Sequence, residues 1–184
     1  MNVFDWADID RGFQGFEDLA FRYVEAEYKI AGHWTHTPYT QDGNRDGYTV
    51  ICGFRPHDLS PEEWWMEAKY STEKKRLSRY RLDSTIVSAV IHGNVSKVVF
   101  VTNIMVSTKT IVDIRTALKQ AVHCREVHFC VKNTLEYWLT QHPDVFHTFF
   151  PNTDIHKLSV KQLLLSEEIE FFSDQKVVLS NFEH

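Results

Sequence analysis

Two acidic residues and a lysine in neighbouring strand-like segments have a spacing that could support metal-dependent hydrolysis. Glu67 and Lys69 lie two residues apart in the segment WWMEAKY, and Asp46 begins the preceding strand-like segment. Side chains alternate between the faces of a strand, so Glu67 and Lys69 should point the same way, with Asp46 beside Glu67. Neighbouring carboxylates repel each other unless a cation or a proton separates them. A hard divalent cation such as Mg²⁺ prefers these oxygen ligands and retains several waters, one of which could become a nucleophile.

Two further groups could serve the same chemistry. Lys69 could orient the attacking water or neutralise the charge that grows on a phosphate. Glu17, in a helical segment near the start of the chain, could add a third carboxylate, either directly or through water. The spacing alone is also explained by a surface hairpin in which Glu67 and Lys69 are solvated neighbours.

A basic segment follows the candidate strand. Residues 69–81, KYSTEKKRLSRYR, hold six basic residues and one acidic residue, although the whole chain has a formal net charge of −5. A local basic footprint matters more for nucleic-acid binding than the total charge does. The candidate phosphate-binding residues are Lys74, Lys75, Arg76, Arg79 and Arg81. The alternative interpretation of this segment is a solvated helix face.

The elements that must position these residues follow from the periodicity of the apolar residues. Residues 12–31 have the spacing of an amphipathic helix, which Gly32 would end. Residues 33–44 are expected to form a short strand that runs into a turn. Aromatic and β-branched residues favour strands in two further segments, residues 46–54 and 64–70. The last two of these segments would form a hairpin with a long polar loop.

The second half of the chain alternates helical and strand-like segments. A helix is predicted from residue 71 or 72 to residue 93, and one side of it is formed by Leu77, Tyr80, Ser84, Val87 and Ile91. Residues 97–102 have the continuous apolar character of a strand that is buried on both faces. The remaining predicted elements are a helix over 107–122 capped by Ser107 or Thr108, a strand over 126–131 and a helix over 133–141. The order α-β-β-β-α-β-α-β-α predicts an α/β fold, a mixed sheet with helices on both faces.

The composition is that of a folded domain. Hydrophobic residues make up 43% of the 184 residues and charged residues 24%, which does not fit a disordered chain. We predict one domain over residues 1–150 and a C-terminal extension, linker or start of a second domain over residues 151–184. The apolar runs are shorter than the roughly 20 residues of a membrane span, and the first residues lack the basic start of a signal peptide. We therefore expect a cytoplasmic protein.

Cysteines and histidines suggest no competing metal centre. Cys52, Cys124 and Cys130 are widely spaced, which predicts free thiols in a reducing compartment and not a disulfide scaffold. His33 and His36 could be metal ligands, but the sequence around them has no Cys-x-x-Cys partner motif. A position near the mouth of the site, or on the surface, is the preferred interpretation of both histidines.

Several motifs resemble the Mrr-like restriction endonuclease domains of the PD-(D/E)xK superfamily. Those domains open with a helix that carries Phe-Glu-x-Leu, and Phe16, Glu17 and Leu19 match it. They continue with an Asp-Gly-Gly-x-Asp-type turn, for which residues 42–46 read Asp-Gly-Asn-Arg-Asp. A Gln-x-Lys or Glu-x-Lys strand and a strand that ends in Val-Thr follow, and the matching residues here are Glu67, Lys69, Val101 and Thr102. The resemblance covers about residues 12–145, with Asn44 in place of the second glycine of the turn and Arg45 in place of the proline before Asp46.

The resemblance implies a restriction-endonuclease-like fold and Mg²⁺-dependent endonucleolytic cleavage of double-stranded DNA, with Mn²⁺ as a substitute metal. Asp46, Glu67 and Glu17 would hold the metal, and these three residues with Lys69 would form the catalytic set. Such domains commonly serve as effector modules in restriction or anti-phage defence, as homo-oligomers or joined to recognition or NTPase domains. An RNase on the same fold and an inactive nucleic-acid-binding or assembly module are the two alternatives.

Overall fold

The structure, a computed structural model, describes residues 4–29, 34–37, 47–51, 62–73, 76–77, 80–93, 95–122 and 124–158. Within these ranges the strands form a five-stranded sheet and a separate two-stranded pair. The sheet contains β1 (Thr35–His36), β2 (Gly47–Ile51), β3 (Glu62–Lys69), β5 (Val95–Thr102) and β7 (Glu126–Cys130). The separate pair consists of β4 (Arg76–Leu77) and β6 (Met105–Val106).

The sheet is mixed, and its two halves are connected differently. The strand order is β1-β2-β3-β5-β7, in which β1, β2 and β3 pair antiparallel and β3, β5 and β7 pair parallel. Parallel neighbours need a connection that crosses a face of the sheet. The helices α2 (Tyr80–His92) and α3 (Thr108–Val122) lie in these two connections.

Helices cover both faces of the sheet. On one face α1 (Gly12–Glu27), α4 (Lys132–Gln141) and α5 (Pro143–Phe149) share a core with strand residues that include Met66, Ala68, Val99 and Val101. On the other face α2 and α3 share a second core with Trp65, Val98 and Phe100. The alternation of neighbouring residues between the two cores follows from the strand period of two. The predicted mixed α/β sheet with helices on both faces is therefore confirmed.

The first helix is shorter than its apolar pattern predicts. It ends at Glu27 and not at residue 31, because Tyr28 leaves helical geometry at φ −113° and ψ 62°. The Tyr28 hydroxyl instead forms a hydrogen bond with His128 Nδ1 at 3.1 Å, on β7. A tertiary contact with the sheet thus ends the helix before the glycine at position 32 is reached.

The predicted helix from residue 71 or 72 to residue 93 is wrong over its first turns, since α2 begins only at Tyr80. Before it, Arg76 and Leu77 form β4 and pair in parallel with Met105 and Val106 of β6. The backbone of Ser71 is held by the side chain of Asn103, which accepts from the Ser71 N–H at 3.0 Å and donates to the Ser71 carbonyl at 2.9 Å. These long-range bonds compete with helix formation, and periodicity within the segment does not report them.

The apolar side predicted for α2 faces outward. Val87 is 57% exposed and Ile91 is 81% exposed, whereas Thr85 and Ala89 are fully buried. The helix therefore packs through the side that carries Thr85, Ile86 and Ala89. Small residues at the contact let the helix approach the sheet closely. Thr85 and Ala89 also add little to the apolar periodicity of the sequence, so that pattern indicated the exposed side instead.

The remaining described segments extend the core beyond the predicted elements. The helix α5 was not predicted, and after it Leu158, within the predicted C-terminal extension, packs against the same core as α1. Cys124 and Cys130 are buried free thiols, as predicted, and Cys52 lies outside the described residues. In the part of the chain that the structure describes, no helix combines the length and apolarity needed to cross a membrane.

Candidate active site at the end of β3

The structure brings Glu67 and Lys69 together near the carboxyl end of β3. Lys69 Nζ donates a hydrogen bond to Glu67 Oε1, and the two side chains form an ion pair. Glu67 is only 2% exposed, while the side chain of Lys69 retains 19% of its exposure. An ionised carboxylate is costly to bury without a compensating charge, and Lys69 supplies that charge. The partial exposure of the Lys69 side chain leaves the pair accessible from one part of the surface.

The hairpin partner of β3 is also in the predicted place. The strand β2 runs antiparallel to β3, and its first described pair joins Gly47 to Met66, the residue before Glu67. Asp46 itself lies outside the described residues, as do Asp42, Gly43, Asn44 and Arg45. The predicted hairpin is thus present, and the position of its candidate metal ligand stays a prediction.

Glu17 is buried at the same end of β3 but over the opposite face. It is 2% exposed on α1. Its neighbour Phe16 stacks on Tyr70, the residue after Lys69, with ring centroids 5.2 Å apart. The alternation of β3 puts Met66 and Ala68 on the α1 side and Glu67 on the other. Glu17 therefore approaches the end of the strand from across the sheet, and not beside Glu67 as a same-face neighbour.

Polar side chains at the end of β5 and directly after it hold the end of β3, a role that no sequence motif predicted. Thr102 Oγ1 donates to the Lys69 carbonyl at 2.6 Å, and the Ile104 N–H donates to the same hydroxyl at 3.1 Å. Asn103 holds both backbone groups of Ser71. The available signal was the pair Thr102-Asn103 directly after a buried apolar strand, a place where polar side chains need specific partners.

A tyrosine fixes the chain just beyond Lys69. The Tyr70 hydroxyl donates to the carbonyl of Trp6 at 3.0 Å. Burial raises the pKa of Tyr70, and the nearby charge of Asp5 raises it further. The hydroxyl is therefore held in its neutral, donating form and ties the end of β3 to the segment before α1.

The basic segment does not form the continuous helix on which it was placed. Arg76 lies in β4, and Arg81 lies in the first turn of α2. Lys74, Lys75 and Arg79 lie outside the described residues. The predicted contact of these five side chains with phosphate stays a prediction, but a single helical face is no longer its basis.

The histidine near the hairpin has protein neighbours on one side. His36 Nδ1 lies 3.6 Å from Asp18 Oδ1, and its ring stacks on Phe21 with centroids 4.7 Å apart. His33 lies outside the described residues. Among the residues that the structure describes, no three histidine, cysteine or carboxylate side chains are grouped in a way that could hold a metal ion.

A second polar cluster, also absent from the sequence analysis, lies at the opposite end of the parallel strands. Lys97 is 8% exposed, contacts Glu126 Oε2 at 2.6 Å and lies 3.8 Å from the centroid of the Trp64 ring. His128 Nε2 is 3.1 Å from the same Glu126 oxygen. The hydrogen bond from Lys97 lowers the pKa of Glu126, whereas burial and the charge of Lys97 lower the pKa of His128. These groups satisfy one another, so the cluster serves to join β3, β5 and β7.

Comparison with known proteins gives matches among solved structures alone. No family model matches the sequence, and no curated protein matches it. The chain resembles the MspJI restriction endonuclease, solved in complex with a 27-mer oligonucleotide, with a TM-score of 0.45 and 18% identity over 82% of this chain and 31% of MspJI. It also resembles the DNA modification-dependent restriction endonuclease AspBHI, with a TM-score of 0.39 and 12% identity over 78% of this chain and 39% of that one. The chain thus spans less than half the length of either protein.

Proposed function

We propose that this chain is a metal-dependent nuclease domain that hydrolyses phosphodiester bonds in double-stranded DNA. The observation that carries the proposal is the buried Glu67 paired with a partly exposed Lys69 at the end of β3. These two residue types, two positions apart on one strand, are those that the sequence motif requires. Their burial removes the interpretation of a solvated surface pair.

The hairpin supports Asp46 as the second carboxylate. Gly47 pairs with Met66 across the sheet, and Asp46 precedes Gly47 in the chain. Met66 is in turn the neighbour of Glu67. A continuation of this hairpin to Asp46 would bring the two carboxylates together, as the motif requires.

These residues fit a hard divalent cation. Asp46 and Glu67 offer carboxylate oxygens, and such ligands suit Mg²⁺, with Mn²⁺ as a substitute. Glu17 lies over the opposite face of β3, so its proposed contribution to the cation is through water at the end of the strand. When bound, the cation would supply positive charge beside the scissile phosphate and make water a better nucleophile. Glu67 would hold the cation together with Asp46. Lys69 would orient the water or neutralise the developing charge.

The placement at a strand end is consistent with this role. In open α/β sheets, ligands bind beside the carboxyl ends of the parallel strands. Lys69 is the last residue of β3, and Thr102, its partner across the ladder, is the last residue of β5. A substrate phosphate at this edge would meet the exposed part of the Lys69 side chain first.

The wider assignment follows from the sequence resemblance. The chain would act as the effector nuclease module of a restriction or anti-phage defence system. Cleavage of both DNA strands needs two sites, so the active form would be a homo-oligomer or part of a larger protein that carries recognition or NTPase domains. The basic residues Lys74, Lys75, Arg76, Arg79 and Arg81 would contact phosphates.

The deciding experiment incubates the purified chain with supercoiled plasmid DNA and, separately, with RNA, in Mg²⁺, in Mn²⁺ and in EDTA. We expect nicked and linear DNA with either metal and intact DNA in EDTA. Glu67→Gln should remove the activity, whereas Lys119→Ala, an exposed lysine in the last turn of α3, should retain it. Cleavage of RNA alone would identify an RNase on this fold. Binding of DNA without cleavage in either metal would identify an inactive binding module.

A further inference from the structure

The end of β3 is held by side chains that extend the parallel ladder after its backbone pairing stops. The last backbone pair of β3 and β5 is Lys69 with Thr102. Thr102 is fully buried, donates to the Lys69 carbonyl at 2.6 Å and accepts from the Ile104 N–H at 3.1 Å. The hydroxyl therefore uses both its donor and its acceptor capacity to lock the backbone of Lys69 to the strand beside it.

The next residue, Asn103, adds a second restraint by imitating a peptide group, and we call Thr102 and Asn103 together the clamp. Asn103 is 5% exposed, and its side-chain amide accepts from the Ser71 N–H at 3.0 Å and donates to the Ser71 carbonyl at 2.9 Å. A carboxamide is the side chain that offers an acceptor and a donor with the geometry of the backbone. Thr102 and Asn103 thus fix the backbone on both sides of Tyr70, immediately after the ammonium-bearing residue.

The position of the end of a long side chain depends on the position of its backbone. Lys69 has several rotatable bonds between its Cα and Nζ atoms, and it ends its strand, where the ladder no longer restrains the chain. A change of direction at its carbonyl would move Nζ relative to Glu67, which is fixed two residues earlier in the paired part of β3. Misplacement of a reacting group by about 1 Å can cost about 100-fold in rate. Loss of the clamp would therefore lower the rate of the proposed cleavage.

We propose that Thr102 and Asn103 are positioning residues that hold Lys69 against Glu67 in its reactive place. The role of Lys69 in cleavage rests on the proposed nuclease function, whereas its placement by the clamp does not. Neither residue touches the reacting groups directly, since both act through the backbone of residues 69–71. They contribute to the rate and not to substrate binding.

The test uses an isosteric pair of substitutions and a matched control. Thr102→Val removes the hydroxyl and keeps the shape, while Thr102→Ser keeps the hydroxyl. Asn103→Asp keeps the acceptor for the Ser71 N–H and loses the donor to its carbonyl. Thr85→Val is the control, because Thr85 is also fully buried and its hydroxyl oxygen has no hydrogen-bond partner among the described residues.

Two measurements are made on each folded variant below its melting temperature. The first is the rate at which an amine-specific reagent modifies Lys69, followed by peptide mass spectrometry, which requires neither metal nor substrate. The second is plasmid cleavage in Mg²⁺. Thr102→Val and Asn103→Asp should raise Lys69 modification several-fold and lower kcat by about 10- to 100-fold with KM within about twofold. Thr102→Ser and Thr85→Val should match the wild type in both measurements.

The two proposals fail in different ways. If the wild type does not cleave any nucleic acid, the proposed function is wrong, and the modification rates still decide whether the clamp holds Lys69. If the wild type cleaves and Thr102→Val shows wild-type modification and a wild-type kcat, the clamp proposal is overturned and the nuclease stands. Loss of stability in Thr102→Val without a change in Lys69 modification would also overturn it, since the hydroxyl would then serve folding alone.

Discussion

At the scale of single residues, the candidate site depends on the ion pair between Glu67 and Lys69. Glu67 is almost fully buried, so its negative charge is tolerated because the Lys69 ammonium lies against it. Removing one member of a buried ion pair leaves an uncompensated charge, which typically costs about 3–5 kcal/mol. The same pair is also the chemical centre of the proposed function. Stability and activity should therefore respond differently to substitutions here.

Lys69→Ala should abolish cleavage while metal and DNA binding persist. The lysine is proposed to act on the attacking water and on the charge of the transition state, and such stabilisation appears in the rate and not in substrate affinity. Single-turnover cleavage in Mg²⁺ measures the first effect, and DNA binding in Ca²⁺ measures the second. A variant that cuts at the wild-type rate would show that Lys69 has been assigned the wrong role.

The same substitution should destabilise the metal-free protein, and a second substitution should restore it. Lys69→Ala leaves Glu67 charged and buried, with an expected loss of about 1–3 kcal/mol after allowance for the partial exposure of Lys69. Adding Glu67→Gln to Lys69→Ala removes the stranded charge and should recover most of the loss. Denaturant unfolding in EDTA of the wild type, both single variants and the double variant gives the coupling. Additive effects would mean that the two side chains do not interact in solution.

The ion pair of Glu67 and Lys69 could be predicted from sequence, and the clamp of Thr102 and Asn103 could not. Glu67 and Lys69 lie two residues apart on one strand, so a local rule places them on one face. Thr102 and Asn103 act on residues about thirty positions earlier in the chain. No local pattern joins them to β3, since that contact exists only once two parallel strands have been paired.

At the scale of elements, tertiary bonds override local periodicity at both ends of helices. The helix α1 ends early because Tyr28 turns to His128. The helix α2 begins late because Asn103 holds Ser71 and β4 pairs with β6. The buried strands were predicted well, because a short continuous apolar run such as 97–102 is typical of a strand that is buried on both faces. These two helix termini were predicted poorly, because contacts with distant strands determine them.

The start of α1 depends on a close backbone approach at Gly15. A Cβ atom at this position would lie 1.8 Å from the Asp10 carbonyl oxygen, a backbone atom that no rotamer change can move. Gly15→Ala should therefore cost about 1–3 kcal/mol or more through overpacking. It should also displace the turn that carries Phe16 and Glu17.

The matched control for this prediction is Gly93→Ala. Gly93 has φ +84° and nothing within 4 Å of the added Cβ atom, so the cost there is confined to backbone strain of about 1–2 kcal/mol. Chemical denaturation of both variants makes the comparison. Equal losses would indicate that α1 shifts away from Asp10 without difficulty.

The cluster at the other end of the sheet should make stability depend on pH. Burial and Lys97 lower the pKa of His128, with Glu126 opposing them through its hydrogen bond and Arg115 adding to them. The folded state therefore prefers the neutral imidazole. As pH falls below about 6.5, the unfolded chain takes up the proton first, so stability is lost from there down through the folded pKa of His128.

His128→Gln should flatten this dependence. The free energy of unfolding is measured at intervals between about pH 7 and pH 5. It should decrease in the wild type as the pH falls and change less in the variant. Glu126 has a lowered pKa as well, so its contribution is lost only at lower pH, below about 4.5. Identical slopes for both proteins between pH 7 and pH 5 would rule out His128 as the titrating group.

At the scale of the whole molecule, the sheet separates the Lys97 cluster from the proposed active site. The Lys97 cluster closes the amino ends of the parallel strands with mutually satisfied groups, whereas the carboxyl ends carry Lys69 and its clamp. Two apolar cores on the two faces of the sheet hold both ends in register. Such a frame can tolerate like charges brought together at one edge by function.

That tolerance leads to a prediction about metal and stability. Asp46 and Glu67 are proposed to meet at one strand end for binding and not for folding, with Glu17 at the same end over the other face, so without metal these carboxylates repel one another. Asp46→Asn keeps the shape of the side chain and removes one charge. The metal-free variant should be more stable than the wild type by on the order of 0.5–2 kcal/mol, as is common where a site trades stability for activity.

Added Mg²⁺ should stabilise the wild type more than it stabilises Asp46→Asn. A ligand that binds only the folded state raises stability according to its affinity, and only the wild type retains the full set of carboxylates. Mg²⁺ should therefore raise the Tm of the wild type more than that of Asp46→Asn, while the variant loses cleavage. Thermal unfolding of both proteins in EDTA and in a Mg²⁺ series measures this. If Asp46→Asn is less stable in EDTA and the wild type shows no shift with Mg²⁺, Asp46 serves the turn before β2 and the carboxylate site requires a different residue.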